Sequence, residues 1–491
     1  MKTFFRKTAL SLGVVLLATL SVFGPACRSR RAADHKASVV KVYTTIQNVD
    51  FYEPWKPGAQ ATLQGCGCIL PGGLILTTAH LINKATYIEV QKFGETKRYV
   101  AKAGPVGYDL DLAILRVDDP EFTRAIVPVE MGKLPAPGDK VTIFGKDELS
   151  VKEDTLSGLD MVWGAETIRE VPALITNEAI DDKNNGCPVF KDGKLVGIPF
   201  DATGKADKKG SIIPVNVIER FLRSVQNGRA YDGFPDSGVV YQELESPALR
   251  AYYKVPQDQS GVVVTKVLYG GSAEGLLKEG DVLTAVDGQP IDSEGTIKVD
   301  KVHRVSWEYR IVFCLMGEKV KLDVLREGKP LKVEMPLKPL PKLVVYREDS
   351  TEPTYFMYAG FVFVPLTGNY FQTAEYKSFK PALKNLYSHG FLSEKRKQVV
   401  LISHILPHDI NTGYARVANA IVTKVNGREI TGIKDLVAAL DHPVDRYQIL
   451  EIDDHAWFGS SVVLDSEKAK IATQELMKNL RIPSDRSADL K

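Results

Sequence analysis

Three stretches of the chain carry side chains that could act together on an acyl group. His80 closes the run LILTTAH, Asp111 sits in DLDLAILRV just ahead of an apolar run, and DDKNNGCPVF fills positions 181–190. An imidazole that reaches a hydroxyl, and is itself oriented by a carboxylate, turns that hydroxyl into a nucleophile. The third stretch lacks the hydroxyl. Had it read G-N-S-G-G-P-V-F from position 183, it would be a serine nucleophile loop. Instead Lys183 stands at the first glycine, Asn185 at the serine and Cys187 at the last glycine.

These departures decide the chemistry. The Asn185 amide is neutral and its nitrogen lone pair is delocalised, so His80 has no useful proton to take from it. A side chain at Lys183, where such a loop would have glycine, disfavours a tight backbone turn. Losing a triad member costs several orders of magnitude in rate, and losing an oxyanion donor costs roughly a further 100- to 1,000-fold. Cys187 is a poor substitute nucleophile. It lies two residues past the required position, which moves its sulfur ångströms away from His80 and defeats proximity. The plain reading of Cys187 is a small buried core residue.

The elements that must position these residues are short β-runs. SVVKVYTTI, GCIL, LILTTAHLI, TYIEVQKF, LAILRV, KVTIFG, KLVGIPF and SIIPVNVI all have strand composition, separated by Gly, Pro and Asp turns. Helical segments do not alternate with them, so a barrel or sandwich is expected rather than a doubly wound sheet. NVIERFLRSVQ closes this unit as an amphipathic helix with Val217, Phe221, Leu222 and Val225 on one face. The expected units are residues 38–228, then 236–338, then 343–482. A turn-rich stretch, NGRAYDGFPDSG, and a stiff proline-rich linker, PLKPLPKL, mark the boundaries. The second and third units look like distant copies, with VLTAVDGQPI in one matched by IVTKVNGREI in the other.

At 491 residues the chain has room for two to four domains. Its net charge of +2 and 25% charged residues predict no nucleic-acid partner. No metal site or cofactor is called for. The N-terminus reads as an export signal over residues 1–26, with basic MKTFFRK, apolar TALSLGVVLLATLSVF and then GPAC. Cys27 is either a lipid-accepting first residue or an ordinary residue after plain cleavage; Gly24 stands where a lipoprotein signal usually has Leu. Either way the expected location is exported, as a periplasmic or membrane-anchored lipoprotein of a bacterial envelope. The sequence has five cysteines, and export permits disulfides.

Taken in order, GCGCILPGGLILTTAHLI, DLDLAILRV, ITNEAIDDKNNGCPVFKDGKLVGIPF and IIPVNVIERF resemble the HtrA/Deg family of exported and organellar serine proteases. VLISHILPHDINTGYARVANAIVTKVNGREITGIKDLVAALD and IPSDRSADL are similar to the second PDZ domain of plant Deg proteases. The resemblance implies a mainly β chain, a trypsin-like double β-barrel followed by two PDZ domains, each a β-sandwich with helices. It places His80 at the general base, Asp111 at the orienting acid and Asn185 at the nucleophile, with Lys183 and Gly186 in the oxyanion loop. It also implies a strand behind the nucleophile loop, which would let Cys187 pair with Cys66 or Cys68. PDZ domains take an extended peptide as an added strand and hold its carboxylate on a Gly-apolar loop. Those loops would be DSGVV, with Gly238, Val239 and Val240, and YAGFVF, with Gly360, Phe361 and Val362. The groove of the second PDZ domain has a neighbouring subunit as its alternative ligand. The expected function is a homo-oligomeric pseudoprotease that binds unfolded proteins or C-terminal peptides in envelope protein quality control, with a lipid anchor if Cys27 is acylated. Its rivals are an active endopeptidase with an altered nucleophile loop and a structural envelope scaffold.

Overall fold

The computed structural model describes residues 36–124, 126–145, 150–164, 169–181, 184, 186–200, 209–339, 342–345, 352–372, 381–453 and 460–491. The first unit closes into two barrels. Strands β1 (Val39–Val49), β2 (Pro57–Ile69), β3 (Ile75–Thr77), β4 (Ala85–Lys92), β5 (Tyr99–Gly107) and β6 (Leu112–Val117) form one, in the order β1-β2-β3-β6-β5-β4. The other joins β7 (Lys140–Phe144), β8 (Val151–Trp163), β9 (Glu170–Thr176), β10 (Val189–Lys191), β11 (Lys194–Phe200) and β12 (Ser211–Pro214), in the order β10-β11-β12-β9-β8-β7. Closure leaves no sheet edge exposed.

The apolar run Leu112–Leu115 of β6 follows from where it lies, with Arg116 emerging to solvent near the strand end. Ala113, Leu115 and Val117 fill the first barrel, while Leu112 and Ile114 face the second barrel and pack with Phe144, Phe190 and Ile198. A strand buried on both faces has no polar side to show. The helix Val215–Ser224 covers the seam between the barrels, with Val217 and Phe221 fully buried and Leu222 and Val225 partly so. Ile218 and Arg220 are buried as well. The Arg220 guanidinium donates to the Gly233 and Cys314 carbonyls at 2.9 and 3.1 Å, tying the helix to the second unit.

That unit begins with β13 (Pro235–Asp236) and β14 (Val239–Glu243). It continues with β15 (Val262–Val267), β16 (Val282–Val286), β17 (Gln289–Pro290), β18 (Thr296–Lys298), β19 (Arg304–Ser306), β20 (Lys319–Arg326), β21 (Lys329–Pro336) and β22 (Lys338–Pro339). Its main sheet runs β14-β15-β16-β20-β21, so β14 is an edge strand, and β13 pairs with β22. The third unit has β23 (Phe356–Tyr358), β24 (Phe361–Pro365), β25 (Val400–Ile405), β26 (Ile421–Val425), β27 (Arg428–Glu429), β28 (Tyr447–Asp453) and β29 (Ser460–Asp465). Its order is β23-β24-β25-β26-β28-β29. The repeat read from the sequence is a repeated hairpin. Asp287-Gly288 joins β16 to β17 and Asn426-Gly427 joins β26 to β27. All four residues have positive φ, as a two-residue type I′ turn requires.

The third unit also meets the first barrel. Between β1 and β2 the chain presents Phe51, Tyr52 and Trp55; Tyr52 stacks on His404 with ring centroids 4.3 Å apart, and Trp55 meets Tyr355 edge-on at 5.6 Å. Among the described residues, no helix is long and apolar enough to cross a membrane.

Candidate active site and peptide-binding edges

The histidine and aspartate of the sequence meet. Strand β3 ends in buried Thr77, and the short turn His80–Ile82 then brings the imidazole over Asp111. His80 Nδ1 lies 2.7 Å from Asp111 Oδ2, and the His80 backbone N–H donates to Asp111 Oδ1 at 2.8 Å. Asp111 is 1% exposed and takes a left-handed backbone, φ 55°, which turns its carboxylate back under β3. A carboxylate at Nδ1 selects the tautomer whose acceptor lone pair is on Nε2. That is the arrangement of a general base and its orienting acid.

The loop opposite is clamped from behind. Lys183 and Asn185 lie outside the described residues. Around them, the Asn184 N–H donates to the Asp181 carbonyl at 2.8 Å and the Cys187 N–H to the Asn184 carbonyl at 3.0 Å. Cys187 is disulfide-bonded to Cys66 of β2, with Cα atoms 4.6 Å apart and both residues fully buried. This bond excludes the Cys187 nucleophile, because its sulfur is already committed. Gly186 has φ 77°, and a Cβ there would stand 2.5 Å from the Cys66 carbonyl oxygen. That same oxygen accepts from Thr77 Oγ1 at 2.6 Å. Gly186 and Cys187 of the second barrel are therefore stapled to β2 and β3 of the first. Cys68 remains a free thiol, pushed up to about 12 by burial, so it is no nucleophile either.

The two expected peptide-binding loops differ. In the second unit, Gly238 has φ 70°, and a Cβ would meet Ser272 N at 2.8 Å, so the tight approach requires glycine. Val239 is buried and Val240 is exposed on the edge strand β14. Two backbone donors here are already engaged. Asp236 Oδ1 accepts from Gly238 N–H at 2.8 Å, and Ser237 Oγ from Val239 N–H at 3.4 Å. In the third unit, the YAGFVF stretch is a correction to the sequence expectation. Ala359-Gly360 is a two-residue hairpin turn joining β23 to β24, not a ligand loop. Phe361 and Val362 are fully buried, and β24 is paired with β23 on one side and β25 on the other. No edge is left there for an added strand. The Ala359 N–H donates to Thr473 Oγ1 and its carbonyl accepts from Asn411 Nδ2.

Sequence reasoning missed Asp236, Ser237, Glu308 and Arg169. The Ser237 hydroxyl donates to Glu308 Oε1 at 2.8 Å, and Arg169 Nη2 of β8–β9 faces Asp236 Oδ2 at 3.4 Å. The Glu308 carboxyl is pushed up to about 7, first by removal from water and then by Asp236. Glu308 and Arg169 lie more than sixty residues from the loop they serve, and no local pattern links them. The signal that was available was the Asp-Ser before Gly238, which favours side-chain bonds to the next backbone N–H groups.

Residues 65–198 match the trypsin-like peptidase domain, and residues 249–304 and 344–489 each match the PDZ domain. The chain is 32% identical to "Protease Do-like 2, chloroplastic" of Arabidopsis thaliana, over 96% of this chain and 79% of that protein. It is 31% identical to "Putative protease Do-like 3, mitochondrial" of the same plant, over 92% and 80%. Among solved structures, "HtrA-type protease AlgW with tripeptide" aligns at 21% identity and TM-score 0.48, over 64% of this chain and 98% of that one.

Proposed function

The chain belongs to the HtrA/Deg family of trypsin-like proteases with PDZ domains, and from that premise we propose that it is a pseudoprotease that binds unfolded polypeptide. One observation carries the reading: in the sequence Asn185 falls where the family's serine would be, in a chain that keeps the His80–Asp111 pair. The base and its orienting acid have nothing to deprotonate. Lys183 at the oxyanion position is a second, independent defect in the same loop. The buried Cys66–Cys187 bond supports an oxidising compartment, in keeping with an exported chain. An exported location, periplasmic or lipid-anchored through Cys27, and assembly into a homo-oligomer complete the proposal. Several weak edges near one client would bind by avidity.

The intact His80–Asp111 geometry also favours the second reading, a residual endopeptidase. The two are separated by incubating purified mature chain with reduced, unfolded casein. The pseudoprotease leaves casein intact and suppresses aggregation of a thermally unfolded client. Cleavage that disappears in His80→Ala would support the enzyme instead.

A further inference from the structure

The loop joining β13 to β14 already holds a carboxylate, its own. Asp236 Oδ1 takes the Gly238 N–H that a peptide's terminal carboxylate would need. Its other oxygen is held by Arg169 of the second barrel, whose Nη1 also donates to the Pro235 carbonyl at 3.0 Å. Ser237, 1% exposed, divides its hydroxyl between Val239 N–H and Glu308 Oε1. An incoming carboxylate would therefore find the donor taken and two carboxyl groups beside it, with the nearest guanidinium already committed to Asp236. β14, by contrast, remains an edge strand, with Val240 and Gln242 exposed.

We propose that Asp236 is an internal cap that fills the carboxylate position of the first PDZ domain, so that this domain takes an internal extended stretch of a client along β14 and not a chain end. The inference rests on the client-binding reading above and specifies its ligand class. Strand addition needs only backbone groups and alternate side-chain pockets, which an internal segment supplies as well as a terminus does. The cap also explains why Arg169 reaches across from the barrel: it fixes Asp236 in the capping position.

The test uses the full mature chain and a short fluorescein-labelled peptide ending in valine, prepared as the free acid and as the amide. For the wild type, anisotropy titrations should give equal affinities for the two within about twofold. Asp236→Ala frees the Gly238 N–H and removes the charge, and should bind the acid at least about tenfold more tightly than the amide. Asp236→Asn retains an oxygen on Gly238 N–H and should show no such preference. A wild type preferring the acid tenfold, or an Asp236→Ala chain with native circular dichroism and no acid preference, would overturn the cap. Should Asp236→Ala fail to fold, the wild-type ratio decides. A wild type that binds neither form and does not suppress aggregation counts against client binding, while acid preference in Asp236→Ala would still uphold the cap.

Discussion

Removing the Cys66–Cys187 bond should be among the most damaging changes that leave the polar site untouched. The two cysteines are 121 residues apart in sequence, so the bond closes a long loop in the unfolded chain. The chain-entropy relation for a loop of that size gives about 5 kcal/mol, and native disulfides removed from proteins cost about 2–5 kcal/mol. For a unit of this size each kcal/mol moves Tm by roughly 2–4 °C. The double variant Cys66→Ala/Cys187→Ala should therefore melt roughly 4–20 °C below the wild type, toward the upper end if the loop-entropy figure holds. Alanine is the right replacement, because a serine hydroxyl would be buried without water at two fully enclosed positions. Calorimetry of the oxidised wild type against the variant measures the change. Alkylation of the unreduced, denatured chain should label Cys68 and Cys314 and spare Cys66 and Cys187. A Tm difference under about 3 °C, or labelling at Cys66 and Cys187, would refute the staple.

Gly186→Ala should destabilise the chain by about 2–4 kcal/mol, because the new Cβ meets a backbone carbonyl at a positive φ; a melt equal to wild type would contradict the packing. Glu308 gives a pH-dependent outcome. Its folded carboxyl titrates near 7, above its unfolded value, so it binds more protons folded than unfolded between those two points. Stability should fall as pH rises through that window and then level off. Glu308→Gln should raise Tm at pH 8 and leave it nearly unchanged at pH 5, as read by parallel melts; the opposite ordering would mean that the carboxyl is stabilised by charge. If Cys27 is acylated, intact mass of the chain from its native host should exceed that of the unmodified chain beginning at Cys27.

Much of the site was legible because it is local. LILTTAH and DLDLAILRV each carry a catalytic residue type beside the strand that positions it, and the structure brings the two together at 2.7 Å. The repeated phrase VLTAVDGQPI and IVTKVNGREI is local too, but that it is a hairpin turning at Asp287-Gly288 and Asn426-Gly427 comes from the structure. What escaped depends on distance or on ambiguous local pattern. YAGFVF has the small-then-apolar composition of a ligand loop, yet Tyr355 and Met357 pair with the C-terminal stretch around Asp485–Ser487, which holds β23 against β24. Nothing within the six residues distinguishes the two outcomes. Cys66 and Cys68 are two apart on one strand and therefore point to the same face, so alternation cannot say which meets Cys187. Arg220 reads as the polar side of an amphipathic helix. It is buried because the second unit supplies the Cys314 carbonyl to receive it.

Casein digestion tests most directly the proposal that His80 and Asp111 form a base with no nucleophile to serve. Purified mature chain, His80→Ala and Asn185→Ser should be incubated with reduced casein beside a fluorophosphonate serine probe. Wild type and His80→Ala should be equally inert and unlabelled. Asn185→Ser should regain only weak labelling, because it keeps Lys183 where the proposed reading needs an oxyanion-loop glycine. Casein cleavage by the wild type that is abolished in His80→Ala would contradict the account.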